Sequence, residues 1–101
     1  MEWNHINNIL KERKELSPDD PRILEKWAEI AIILSENIDE TIEYLNNCNE
    51  EEIYWISEVF DDISEQTKSI KFIECIEKIS EKYPNLDLEK DIFYARKALN
   101  D

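Results

Sequence analysis

Apolar residues along this chain recur three and four positions apart, and no segment alternates with the period of two that a half-buried strand requires. The pattern predicts an all-α protein. In a first helix over residues 2–15, Trp3, Ile6, Ile9 and Leu10 fall on one side. Lys11, Glu12, Arg13, Lys14 and Glu15 form its solvated end, where the bases complement the helix dipole. Ser17-Pro18-Asp19-Asp20-Pro21 then interrupts the chain, with Asp20 suited to cap a second helix and Pro21 to its first position.

Between Ile23 and Leu34 apolar side chains cover most of the helix circumference, the pattern of an element surrounded by others. Two readings of the continuation stay open. Either Ser35 or Asn37 restarts a third helix, with Asn37 and Glu40 at the spacing of a capping box, or one helix runs on to about residue 46. Asn46-Asn47-Cys48-Asn49 is a turn, and Asn49 with Glu52 again has the capping spacing. A fourth helix over about 50–65 turns Ile53, Ile56, Val59, Phe60 and Ile63 inward. After a loop at Gln66–Ser69, a helix over about 70–83 buries Phe72, Ile73, Ile76, Ile79 and Tyr83 and is stopped by Pro84. Asp87 is placed to cap the last helix, whose buried stripe is Leu88, Ile92, Ala95 and Leu99. The sum is a compact bundle, or a short stack, of five to six helices in a single domain over residues 1–101.

Composition narrows the chemistry. Glycine is absent, so phosphate loops, dinucleotide fingerprints, nucleophile elbows and calcium loops are excluded. Cys48 and Cys75 have no CxxC partner and read as reduced, small, semi-apolar side chains. No apolar run approaches the ~18 residues of a membrane span, and the start MEWNHINN lacks the features of a signal peptide, so a cytoplasmic protein is expected. His5 is the only histidine, so the Glu-x-x-His motifs on two helices that a carboxylate-bridged metal bundle requires are not available. Adjacent carboxylates such as Asp61 and Asp62 diverge by about 100° on a helix, and Glu50-Glu51-Glu52 cannot converge on one cation for the same reason. No catalytic residue, metal site or cofactor is expected, and the chain does not read as an enzyme.

Charge supplies the functional signal. Of 25 acidic residues twelve lie between Trp27 and Thr67, a stretch without a single Lys or Arg, whereas the rest of the chain balances 13 acids against 12 bases. The formal net charge of −13 exceeds what solubility asks of a small domain. Unrelieved carboxylates about 6 Å apart repel by roughly 0.7 kcal/mol even in water, so their segregation implies a use. Glu36, Asp39, Glu40 and Glu43 repeat at i, i+3, i+4 and i+7 as one stripe, flanked by Tyr44. On the fourth helix Glu51, Glu58, Asp61, Asp62 and Glu65 point outward with Tyr54 among them and Trp55 at their margin. Acids ringing aromatics suit an interface with a basic protein, and they repel nucleic acid and anionic lipid.

Residues 51–95 carry Trp55-Ile56-Ser57-Glu58-x-Phe60, Ile73-Glu74-Cys75, and Lys82-Tyr83-Pro84 leading into Leu86-Asp87. This stretch resembles the small acidic all-helical immunity proteins of bacterial polymorphic and contact-dependent growth inhibition toxins. The resemblance implies a cognate toxin domain, often a nuclease, held inactive inside the producing cell by occlusion of its active site or substrate groove. It transfers no inhibitory residue by position. The acidic face itself also accommodates a DNA-mimic regulator that sequesters a nucleic-acid-binding protein, or a helical adaptor whose acids only solubilise it.

Overall fold

The computed structural model describes residues 3–100, with the backbone alone for Trp3, so the expected burial of Trp3 lies outside the described residues. Seven α-helical segments and two short 3₁₀ turns follow one another, and no strand occurs among the described residues. They are α1 (Trp3–Glu15), α2 (Arg22–Ser35), α3 (Ile38–Asn46), α4 (Glu50–Ile56), α5 (Phe60–Thr67), α6 (Ile70–Lys82) and α7 (Glu89–Leu99). A 3₁₀ turn at Ser57–Val59 joins α4 to α5, and another at Pro84–Leu86 precedes α7. Counting α4, its 3₁₀ turn and α5 as one bent helix gives six, within the range the periodicity predicts.

Local chemistry explains most boundaries. Asp20 accepts the Arg22 N–H at 2.9 Å and so covers an orphan donor, but the cap position falls on Pro21 and α2 begins at Arg22, one residue later than the sequence places it. Asn37 restarts the chain as a separate α3 by accepting the Glu40 N–H at 3.2 Å, which excludes a continuous helix from 21 to 46. The corner is locked from inside, where the fully buried Thr41 donates its hydroxyl to the Leu34 carbonyl at 2.7 Å. Asn49 and Glu52 form a reciprocal capping box on α4.

Four sequence expectations need correction. The fourth helix is not continuous: Ser57 donates its hydroxyl to the Tyr54 carbonyl at 2.6 Å, and the local hydrogen bond competes with the α ladder where the 3₁₀ turn begins. Asp87 does not cap the last helix; its backbone takes the left-handed conformation at φ 53°, and no side chain caps α7. Arg13 is not part of a solvated end, because it is buried against α4 and the 3₁₀ turn. Finally, α2 is not enclosed. Ile23, Ile30, Ala31 and Leu34 are buried, but Leu24 and Ile32 remain 66% and 56% exposed.

The core is continuous across all seven segments, running through Ile6, Ile30, Leu45, Ile53, Phe60, Phe72 and Ile92, with Phe60 and Phe72 edge to face at 5.8 Å. The inward positions assigned to the fourth helix, Ile53, Ile56, Val59, Phe60 and Ile63, are all fully buried. Cys48 and Cys75 are free thiols, both buried. The pairing of α5 with α7 positions the candidate site. Ser64 donates to the Ala95 carbonyl at 2.5 Å and the Lys68 ammonium to the Ala98 carbonyl at 2.6 Å, so the two helices run side by side in the same direction. Small residues at Ser64, Ala95 and Ala98 permit that approach.

Candidate functional site

The acidic stretch folds into two surfaces. On α3, Asp39 and Glu43 stand exposed along one ridge with Glu40 half-buried beside them, whereas Glu36, also exposed, ends α2, and the extended backbone at Asn37 takes it off the single stripe the sequence predicts. The side of the ridge toward α6 carries one weak link, Lys71 to Asp39 at 3.9 Å with both side chains in solvent. The opposite side forms a shallow recess lined by Glu40, Glu43, Tyr44 and Asn47. Tyr44 is less available than its place on the flank suggests. It is half-buried, its hydroxyl donates to the Asn7 side chain of α1 at 3.4 Å, and burial followed by the charges near Cys48 and Glu52 pushes its pKa upward.

The second surface is built on α4, α5 and α7. Tyr54 is 53% exposed and meets Trp55 edge to face at 5.2 Å. Trp55 is only half-exposed, and the Arg13 guanidinium lies 4.9 Å from the centre of its ring. That guanidinium also grips Glu58 with two parallel hydrogen bonds, Nε to Oε1 at 2.9 Å and Nη2 to Oε2 at 2.7 Å. The side chains of Arg13 and Glu58 are 7% and 25% exposed, so this pair is largely withdrawn from water and belongs to the scaffold. Glu51 is tied less tightly to Lys14 at 2.9 Å, and the ammonium lowers its carboxyl pKa.

Beyond that tie, Asp61 and Glu65 are exposed, and neither holds an ion pair among the described residues. Asp62 is half-buried, and burial, then Asp61 and Glu65, raise its pKa. The parallel packing of α7 brings in Asp91, whose pKa is raised by burial and then by Asp61, with Asp87 and Glu58 adding to the effect against Lys90. Tyr94, one turn on, is 46% exposed and stacks edge to face with Phe93 at 5.4 Å. Asp91 and Tyr94 therefore extend the α5 surface, and sequence reasoning missed them. Their only signal was an acid and an aromatic on one face of the last helix, and nothing local says that this helix lies along α5.

The twelve acids thus divide by their access to bases. Bases from outside the stretch reach Asp39, Glu51 and Glu58, and of the three ties only the Arg13 pair is withdrawn from solvent. Among the described residues no group of three or more His, Cys, Asp or Glu side chains is disposed to hold a metal ion, and no helix is long and apolar enough to cross a membrane. Comparison with protein-family models, curated proteins and solved structures finds no match for this chain.

Proposed function

We propose that this chain is an immunity protein: a binding domain that captures a basic toxin domain, of the nuclease class, and holds it inactive in the cytoplasm by covering its active site or substrate groove. The observation that supports this most is the surface on which Asp61 and Glu65 of α5 lie with Asp91 of α7, exposed or half-exposed and without an ion pair among the described residues. A nuclease must present cations to hold phosphates, and a carboxylate surface meets the same cations while speeding the encounter. Tyr54 and Tyr94 bring the residue type that supplies anchoring energy at interface centres. Asp39 and Glu43 on α3, with Glu36 at the end of α2, extend the negative potential and steer approach. Glu58 and Arg13 hold Trp55 and the 3₁₀ turn in place beneath the contact.

The test is calorimetric titration against any basic toxin domain found encoded beside this chain, and the absence of one would count against the reading. Affinity is expected to fall roughly tenfold or more in the Asp61→Lys/Glu65→Lys variant, and to weaken for the wild type between about 50 and about 500 mM salt. Binding that ignores both the reversal and the salt would reject the reading, as would no binding at all.

A further inference from the structure

The outward face of α2 carries an exposed apolar ridge, separate from the α5 and α7 surface. Leu24, Ala28 and Ile32 are spaced four residues apart and all three are exposed. Eight residues of helix make a ridge about 12 Å long, one helix wide, and a row at this spacing is what seats between the side chains of a second helix. It points away from the buried side of α2, where Ile23, Ile30 and Leu34 face the core. Two large aliphatic side chains standing more than half in water on one short helix is an arrangement that burial against a partner would relieve.

Charge says what kind of partner. One flank of the ridge carries Glu25 and Glu29, with Glu36 at the end of the helix, all exposed and none in an ion pair among the described residues. The cations of α2 are already engaged, Arg22 by Asp20 at 2.7 Å and Lys26 by Glu12 at 2.6 Å. The other flank, the half-buried Trp27 and Ser35, is neutral. We propose that this ridge docks an amphipathic helix of a partner protein, with an apolar stripe against Leu24, Ala28 and Ile32 and Lys or Arg along the edge that meets Glu25, Glu29 and Glu36. A second copy of this chain is a poor occupant, since it would set one net charge of −13 against another. The same acids oppose an anionic lipid surface. The inference stands on α2 alone and holds whatever the α5 surface binds.

Two fluorescent synthetic peptides of equal charge decide it: one with Leu and Lys at amphipathic helical spacing, the other with every Leu replaced by Ser. By anisotropy the Leu peptide is expected to bind in the micromolar range, and the Ser peptide roughly tenfold or more weaker. Leu24→Ser/Ile32→Ser should erase that difference, while Asp61→Lys/Glu65→Lys weakens both peptides alike and leaves the Leu preference unchanged. Both pairs of positions include only exposed side chains, and circular dichroism checks that each variant keeps its helices. Equal binding of the two peptides would overturn the inference, as would a Leu preference that survives Leu24→Ser/Ile32→Ser or is lost with the α5 reversal. A concentration-dependent dimer that those serines abolish would overturn it too, by naming a second copy as the occupant.

Discussion

The junction of α1 with α4 and the ridge of α3 draw on the same acidic stretch and come to opposite ends. At the junction Glu58 meets Arg13 in a two-pronged pair from which water is largely withdrawn, and Trp55 lies against the guanidinium. On the ridge Glu43 faces solvent, and Asp39 has only a long contact with Lys71. Residue type is the same in both places, so the difference lies in what the fold brings opposite each carboxylate. A Glu with a buried guanidinium is an architectural tie, whereas one without is available to a partner.

The largest expected effect breaks the tie. Arg13→Ala removes two charge-assisted hydrogen bonds and the support of Trp55 and leaves Glu58 part-buried without its partner, so urea denaturation should show a loss of about 2–3 kcal/mol. Next is the cap that starts α4 beside it. Asn49→Ala opens the capping box, and the expected loss is about 1 kcal/mol by the same measurement. On the ridge, Asp39→Asn and Glu43→Gln should each shift stability by less than about 0.5 kcal/mol. A loss at Glu43 as large as that at Arg13 would erase the distinction between tie and ridge.

Acidity sharpens the same comparison on α5 and α7. Asp62 and Asp91 have folded pKa values raised above the ordinary 3.8. The folded state therefore holds their protons where the unfolded chain releases them. Their contribution is fully present below 3.8 and is lost as pH rises through the folded values. Glu51 and Asp20 are lowered, Asp20 to about 2, and act with the opposite sign, losing their contribution as pH falls below the ordinary carboxylate range. The midpoint of thermal unfolding should accordingly rise as pH falls from neutral through the folded values of Asp62 and Asp91, and fall again as acidification passes below the ordinary carboxylate range. In Asp91→Asn the rise should be smaller; an unchanged profile would remove Asp91 from the α5 surface.

What the sequence made legible was local. Asn37, Asn49 and Pro84 mark helix ends through groups a few residues away, and the buried stripes over residues 50–65, 70–83 and 88–99 follow from the 3.6-residue period except at Tyr83 and Leu99, which are only half-buried. The Arg13 tie was not legible because it spans 45 residues, and a base near a helix end reads equally well as dipole complement. The run from Ile23 to Leu34 misled for another reason. A helix that is apolar all round is expected to be enclosed, but periodicity cannot tell enclosure by its own chain from enclosure by another, and the fold leaves Leu24 and Ile32 outside. The interruption of the fourth helix carried no Pro or Gly signal; it rests on the Ser57 hydroxyl and its bond to the Tyr54 carbonyl. For the acidic surface, sequence reasoning named Asp61 and Glu65 correctly as solvent-facing, and it could not supply Asp91 from a helix whose neighbour it did not know.

The two thiols serve as stopwatches for the molecule. Burial pushes Cys48 up to about 12, and it raises Cys75 as well. At neutral pH neither presents more than a trace of reactive thiolate, and an alkylating reagent registers only molecules that have come apart locally. Cys48 reports the turn between α3 and α4, where the Tyr83 hydroxyl holds its carbonyl at 3.3 Å, and Cys75 reports the middle of α6. Their separate labelling rates would show which of those regions lets go first.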